Sequence, residues 1–283
     1  MVTAPELYFH LKKVLENNEI ESSQFEAMCI MEHIFGCRLQ KLLFDKPPVT
    51  QEQKKIADHI VYRRCKGEPL QYLLGKWEFY GLEFFVGEGV LIPRQDTETL
   101  VDTALNFKLP QNPKILDLCS GSGCIAVTLK KNIPTADVTA VEISEKAVGY
   151  INRNVKHNNV FLKILIGDVL NEKTATKFSD IDLIVCNPPY LTQKDMQELQ
   201  TEVTFEPKKA LFGGTDGLDF YREITHIWKN TLNSNGILAY EIGMGQEKDV
   251  SKIMKENGFE DIVTVDDLCG ITRVVYGSRY GGL

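Results

Sequence analysis

Apolar residues recur at helical spacing through the first 74 positions. Leu7, Leu11, Val14 and Leu15 lie along one helix, and Phe25, Met28, Cys29, Glu32 and Ile34 begin a second that ends near Gly36. A third runs from about Thr50, an N-cap after Pro47 and Pro48, to Cys65, with Ile56, His59, Ile60 and Arg63 on one face. The pattern predicts a small helical bundle over residues 1–74. It suggests no chemistry there, and His10, His33 and His59 read as packed or solvated.

From Gly67 to Pro93 the period changes to that of strands. Trp77, Phe79, Tyr80, Phe84, Phe85 and Val86 around Gly81 predict a β-hairpin turning near Tyr80–Leu82, taken as a linker over residues 75–93. Asp96 or Thr97 is placed to cap a helix reaching about Phe107. Beyond Lys114, strands alternate with glycine-rich turns and helices. Ile115–Leu118, Val138–Val141, Leu162–Ile166, Leu183–Cys186, Ile237–Ile242 and Thr272–Tyr276 are the expected strands. A helix through Ala126–Leu129 stops before Pro134, and another spans Ser144 to His157. This alternation implies a parallel sheet covered on both faces, in an α/β domain over residues 94–283.

Composition narrows the classes. Lys and Arg number 32 against 39 Asp and Glu, a net charge of −7 with a pI near 5.4. That balance opposes broad nucleic-acid binding, which depends on cations that neutralise phosphates. Seven scattered cysteines without a Cys-x-x-Cys pair read as reduced thiols of a cytoplasmic protein, and the five His form no metal-ligand spacing. No apolar run reaches membrane-spanning length. Glu6, Glu16 and Glu19, with no Arg among the first twenty residues, fit neither a secretory nor a transit peptide.

Two constellations carry chemistry. Asp117-Leu-Cys119-Ser120-Gly121-Ser122-Gly123-Cys-Ile-Ala126 sets G-x-G-x-x-A between a strand and a helix, where the backbone can approach a ligand and the helix offers free N–H groups. Roughly 20 residues on, the next strand ends at Glu142, which can accept from both ribose hydroxyls. Together these predict a nucleoside-binding half-fold. A dinucleotide is the default for such a loop. Asp117, placed to receive a methionine amino group or to order the loop, favours S-adenosylmethionine instead. Asp168 and Val169 follow another strand, where they could meet an adenine; a plain loop acid is the alternative for Asp168.

The second constellation is Asn187-Pro188-Pro189-Tyr190, at the C-terminal end of an apolar strand where open α/β sheets bind ligands. Two prolines stiffen the loop and remove two N–H donors. Asn187 Oδ1 and the Pro188 carbonyl can then accept both protons of one planar NH2 group, with Tyr190 as a stacking face. An amide nitrogen is a poor nucleophile. Holding its protons on two oxygens enriches and aims it, so positioning and electrostatics can carry methyl transfer without a strong base.

Longer stretches sharpen this. They are Gly67-Glu-Pro-Leu-Gln-Tyr-Leu-Leu-Gly75, Phe79-Tyr-Gly-Leu82, Val90-Leu-Ile-Pro-Arg94 with Asp96-Thr97-Glu98, Glu206-Pro207 with Ala210-Leu-Phe-Gly-Gly214 and Asp216-Gly217, Glu241-Ile-Gly243 with Gln246, and Gly270-Ile-Thr-Arg273. As a set, from about residue 60 to 278, the chain resembles the peptide chain release factor N5-glutamine methyltransferases. The resemblance implies a Rossmann-like, seven-stranded class I domain behind a helical substrate-recognition domain. It implies transfer of a methyl group from S-adenosyl-L-methionine, leaving S-adenosyl-L-homocysteine, to the glutamine of the Gly-Gly-Gln loop of class 1 release factors. No metal, nucleic acid or membrane takes part, and a monomer is expected. Cys119 to Gly123 would line the methionine end, Glu142 the ribose, and Asp168 and Val169 the adenine. Asn187 to Tyr190 would hold the substrate amide, with Asn187 also against the cofactor and Arg94 helping to close the pocket.

Three positions depart from the family pattern: Cys119 where Gly is usual, Gln95 after Arg94 in place of Pro, and Glu142 where many relatives have Asp. Two other readings share the motifs. One is an adenine-amino methyltransferase acting on RNA or DNA, which would want a basic surface. The other is a cofactor-binding scaffold without turnover.

Overall fold

A computed structural model describes residues 2–279 and divides them into two compact units. The smaller comprises residues 2–75 together with Gln200–Phe205. It holds α1 (Ala4–Asn17), α2 (Ser23–Phe35), α3 (Leu39–Asp45), α4 (Gln51–Arg64) and α5 (Leu70–Leu74). Thr50 caps α4 as expected: its hydroxyl accepts from the Gln53 amide at 3.1 Å, and the Gln53 side chain accepts from the Thr50 amide at 2.9 Å. Gly36 ends α2 at φ +65°.

The face of α4 that turns inward differs from the expected one. Ala57, Ile60, Val61 and Arg64 are buried, whereas Ile56 and His59 are exposed. Arg64 is what hides this face from an apolar pattern. It donates to buried Glu26 at 2.7 and 3.1 Å and to Glu202 at 2.8 Å, so a cation occupies a core position with its charge matched. That pairing also ties Gln200–Phe205 into the helical unit, an association that no sequence period marks.

The larger unit begins with the hairpin β1 (Lys76–Phe79) and β2 (Leu82–Phe85). Tyr80 at φ +53° and Gly81 at φ +70° make the predicted two-residue turn. Phe79 and Phe84 enter the main core, and Asn154 bonds both the N–H and the C=O of Phe85 at 2.6 and 3.1 Å. The remaining elements are α6 (Glu98–Leu105), β3 (Lys114–Leu118), α7 (Cys124–Asn132), β4 (Asp137–Glu142), α8 (Glu145–His157), β5 (Lys163–Ile166), α9 (Glu172–Ala175), β6 (Ile181–Cys186), α10 (Asp219–Trp228), β7 (Leu232–Glu241), α11 (Glu247–Glu256), β8 (Phe259–Asp266) and β9 (Thr272–Arg279).

Seven strands form one sheet in the order β5-β4-β3-β6-β7-β9-β8. Successive residues of the central strands alternate between two cores. Ile115, Leu183 and Ala239 meet α6, α7 and α8 on one face, while Leu116, Ile184 and Tyr240 meet α10 and α11 on the other. The sheet is not wholly parallel, as alternation alone had implied. β9 runs antiparallel to both β7 and β8 because only the short turn through Gly270 (φ +77°) links it to β8, and a short link joins only antiparallel neighbours. β8 had no sequence signal of its own. Among the described residues, no helix is long and apolar enough to cross a membrane.

Candidate active site

The order of the strands puts the ends of β3, β4 and β6 side by side. There the larger unit contains a cavity of about 630 Å³, within the range of small-molecule sites. Its walls include Arg94, Cys119, Ser120, Gly121, Ser122, Glu142, Asp168, Val169, Asn187 and Pro189 of the residues expected from the sequence. Asp117, Gly123, Pro188 and Tyr190 do not line it.

Asp117 lies behind the glycine turn rather than in the cavity. It is fully buried; its Oδ2 accepts from the Ser120 hydroxyl and, at 3.1 Å, from the Ala126 amide, while Oδ1 has no partner among the described residues. Of the two roles open to it, ordering the loop is the one these contacts perform. Burial pushes its carboxyl up to about 7, against the pull of those two hydrogen bonds. An unfolded Asp ionises near 4, so between about pH 4 and 7 the native state holds a proton that the unfolded chain has released. Stability therefore falls as pH rises through that window. Asp117→Asn removes the dependence: between pH 5 and 8 the wild type should lose about 2 kcal/mol or more relative to the variant, read from denaturation midpoints.

Cys119 stands at φ +59°, Gly121 at +56° and Gly123 at +79°. Glycine takes this conformation freely, whereas a side chain at Cys119 costs about 1 kcal/mol. A Cβ at Gly123 would lie 3.1 Å from Ile151, so that glycine also lets α8 approach. Cys119→Gly should raise stability by up to about 0.5 kcal/mol, net of the added freedom of the unfolded chain. A melting point up to about 2 °C higher checks it.

Glu142 is held by two backbone amides. Its Oε2 accepts from Gly121 and its Oε1 from Ser144, each at 2.8 Å. The fixed carboxylate thus joins the glycine turn to the start of α8, where the Ser144 hydroxyl caps the helix by accepting from Ala147 at 3.3 Å. Asp168 is exposed and accepts from the Leu170 amide at 2.9 Å; buried Val169 gives its carbonyl to Trp228 Nε1 at 2.8 Å. Ile143 and Phe220 complete apolar walls for a flat ring, and no sequence pattern had marked either.

Arg94 pairs with the buried carboxylate of Glu206, whose other oxygen accepts from the Ile92 amide at 3.0 Å. Thr97, expected as a helix cap, makes no capping bond. It stands in a 3₁₀ turn before α6, and its hydroxyl instead accepts from Asn187 Nδ2 at 3.3 Å. With Nδ2 committed there, Oδ1 is the amide atom left for a ligand. Tyr190 packs against the core under α10 and α11, and burial raises its phenol well above the usual range, so it stays neutral. Gln246 clamps that end of the loop. Its Nε2 donates to the carbonyls of Tyr190 and Gly217 at 3.2 and 3.3 Å, and its Oε1 accepts from Gly243 at 2.9 Å. Glu206, Glu241 and Gln246 had appeared in the sequence only as matched positions without a role.

The residues present fit a nucleoside-bearing methyl donor. A carboxylate lines the cavity beside a glycine turn that brings backbone close, the walls beyond are apolar, and the volume suffices. The fold and cavity define an S-adenosylmethionine-dependent methyltransferase. A methyltransferase from Pyrococcus furiosus shares the fold at TM-score 0.54 and 16% identity, covering 71% of this chain and 91% of that one. The methyltransferase small domain family matches residues 96–215, and the PrmC N-terminal domain family matches residues 6–75. The release factor glutamine methyltransferase of Thermodesulfovibrio yellowstonii is 41% identical over 88% of this chain and 90% of its own length. That of Geobacter sulfurreducens is 40% identical over 99% of this chain and 100% of its own. The chain belongs to the release factor glutamine methyltransferase family.

Proposed function

We propose that this chain methylates the side-chain amide nitrogen (N5) of the glutamine in the Gly-Gly-Gln loop of class 1 release factors. One observation carries the reading. Asn187 lines the same cavity as the glycine turn and Glu142, so an acceptor for an amide N–H and the place for the methyl donor share one wall. S-adenosylmethionine, when bound, supplies a methyl group activated by its sulfonium. Glu142 would hold the ribose, Asp168 and Val169 the adenine, and residues 119–123 the methionine end. Asn187 Oδ1 and the Pro188 carbonyl would accept the two protons of the glutamine NH2. That arrangement raises electron density on nitrogen and orients it, and the amide proton leaves to water after transfer. Pro189 stiffens the loop, Tyr190 anchors its end, and Arg94 with Glu206 steadies the rim.

On this reading the reaction takes place in the cytoplasm and needs neither nucleic acid nor membrane. The test is mass spectrometry of a release factor incubated with the enzyme and S-adenosylmethionine. A gain of one CH2 on the loop glutamine is expected. Transfer to nucleic acid, or to a factor lacking that glutamine, would defeat the reading.

The helical unit reads the protein substrate, because a Gly-Gly-Gln tip offers few side chains for selection. Phe44 and Tyr62 are exposed there at 86% and 64%. Changing each to Ala should raise KM for the whole factor by about three- to tenfold, in line with the loss of one interface side chain, and leave KM for a loop peptide unchanged. Equal effects on the two would count against a role in recognition.

A further inference from the structure

Two buried side chains adjoin Asn187 with no part in the chemistry above, and one of them, Thr97, also lines the cavity. Thr97 and Glu241 are each 2% exposed. Glu241 ends β7, and the register that pairs Cys186 with Tyr240 carries it alongside Asn187. Thr97 arrives from the turn before α6 and receives the Asn187 amide proton at 3.3 Å. A hydroxyl that has accepted this proton still has its own to give, and Thr97 draws the nearby Glu241 carboxyl toward its ionised form. Asn187 draws the same carboxyl the same way, and among the described residues its buried Oε2 has no hydrogen-bond partner. The donors around Glu241 are thus the very groups that must be ordered.

An asparagine amide can sit in two orientations related by a half-turn, with nearly the same shape. Only one serves here. With Nδ2 toward Thr97 and Glu241, the cavity meets an acceptor. Turned over, the amide would set its NH2 against the substrate NH2 and its oxygen against a carboxylate. The second arrangement is repulsive at both ends.

We propose that Glu241, acting through Thr97, is a positioning residue that fixes which way the Asn187 amide faces, so that the cavity sees its oxygen alone. This rests on Asn187 accepting from the substrate amide. The surroundings agree with the role. Burial raises the Glu241 carboxyl to about 7, while Thr97, Arg273 and Asn187 favour its ionised form. Asp96 opposes them and is itself paired with Arg273 at 2.7 Å. The other titratable groups around it are Tyr190, Tyr221, Cys124 and Cys186, and burial raises each of these. A protonated Glu241 could donate and so tolerate the inverted amide, which makes the ionised form the one that orders Asn187.

The deciding experiment needs no substrate. In the 15N-labelled full chain, the Asn187 side-chain signal is assigned by its absence in Asn187→Ala, and its exchange with water is measured. Protection of about tenfold or more over exposed asparagines is expected, since a buried, bonded amide must open before it exchanges. Thr97→Val and Glu241→Gln should each remove that protection, and Thr97→Ser should restore it. A wild-type amide that exchanges freely, or one that Thr97→Val leaves protected, overturns the proposal. Turnover gives a second reading. Thr97→Val should lower kcat on a release factor by about 10- to 30-fold, as misplacement of a reacting group does, while affinity for S-adenosylmethionine changes little and Thr97→Ser recovers most of kcat. A wild type that methylates no release factor would defeat the substrate reading and leave the exchange result to decide this one.

Discussion

Asn187→Ala should lower kcat for methyl transfer to a release factor by about 10²- to 10³-fold, the range seen when one preorganised partner of a developing charge is removed. The physical reason lies in the nucleophile. An amide nitrogen shares its lone pair with the carbonyl and attacks poorly unless its protons are held on acceptors. In the proposed mechanism Asn187 supplies one of the two acceptors at the end of β6, and Ala leaves no side-chain acceptor in its place. Affinity for S-adenosylmethionine should change by less than about threefold, because the glycine turn and Glu142 are fixed by their own bonds and owe nothing to Asn187. Asn187→Gln makes the sharper variant. It keeps the amide but displaces the oxygen by about one bond length, 1.5 Å, and a loss of about 10²-fold is expected from that misplacement alone. Single-turnover rates at saturating donor measure both. A variant that keeps wild-type kcat while raising KM would reduce Asn187 to a binding contact.

Much of this site was legible before any coordinates, for a definite reason. Glycines that bring backbone to a ligand, a carboxylate one strand later and two prolines after an apolar strand are local signals, each written in a few consecutive residues. The hairpin was legible for the same reason, since Tyr80-Gly81 encodes its own turn. What stayed hidden was whatever depends on a distant partner. β8 is an edge strand with Glu260, Asp261, Val263 and Thr264 exposed, so it shows no clean alternation and exists because β9 pairs with it. Arg64 reads as a surface cation until Glu26 and Glu202 meet it. Glu241 reads as the polar end of a strand, yet β6 and β9 flank it and leave it buried. Thr97 looked like a cap because Ser, Thr and Asp before a helix usually are, and the demand from Asn187 outweighed that preference.

Gly213→Ala should disable the same site from outside the cavity, lowering kcat by about 30- to 100-fold. A Cβ at this position would lie 2.6 Å from the Pro189 carbonyl oxygen, 2.7 Å from Tyr190 Cα and 3.0 Å from the Gly217 carbonyl oxygen. All three are backbone atoms, so no side chain can swing aside. The strand-like contact of Leu191 with residues 211–213 is equally fixed: the Leu191 amide donates to Leu211, and Gly213 donates back to Leu191, both at 2.9 Å. The strain must therefore pass along the loop toward Pro188 and Asn187, and an ångström of displacement there is what an in-line transfer cannot absorb. Two further glycines approach Tyr190 in the same way. A Cβ on Gly217 would come within 2.3 Å of the Tyr190 carbonyl oxygen, and one on Gly243 within 3.0 Å of its ring. The physical content of the Gly213, Gly217 and Gly243 positions is thus a shared requirement for space around one loop. Overpacking should also cost about 1–3 kcal/mol of stability, so a control is needed that adds the same methyl where space is open. Gly149 lies within α8 with nothing inside 4 Å of its would-be Cβ. Gly149→Ala should stabilise the chain by about 0.5–1 kcal/mol through helix propensity and leave kcat unchanged. Wild-type turnover in Gly213→Ala, at a lowered melting temperature, would mean that the loop yields without moving Asn187.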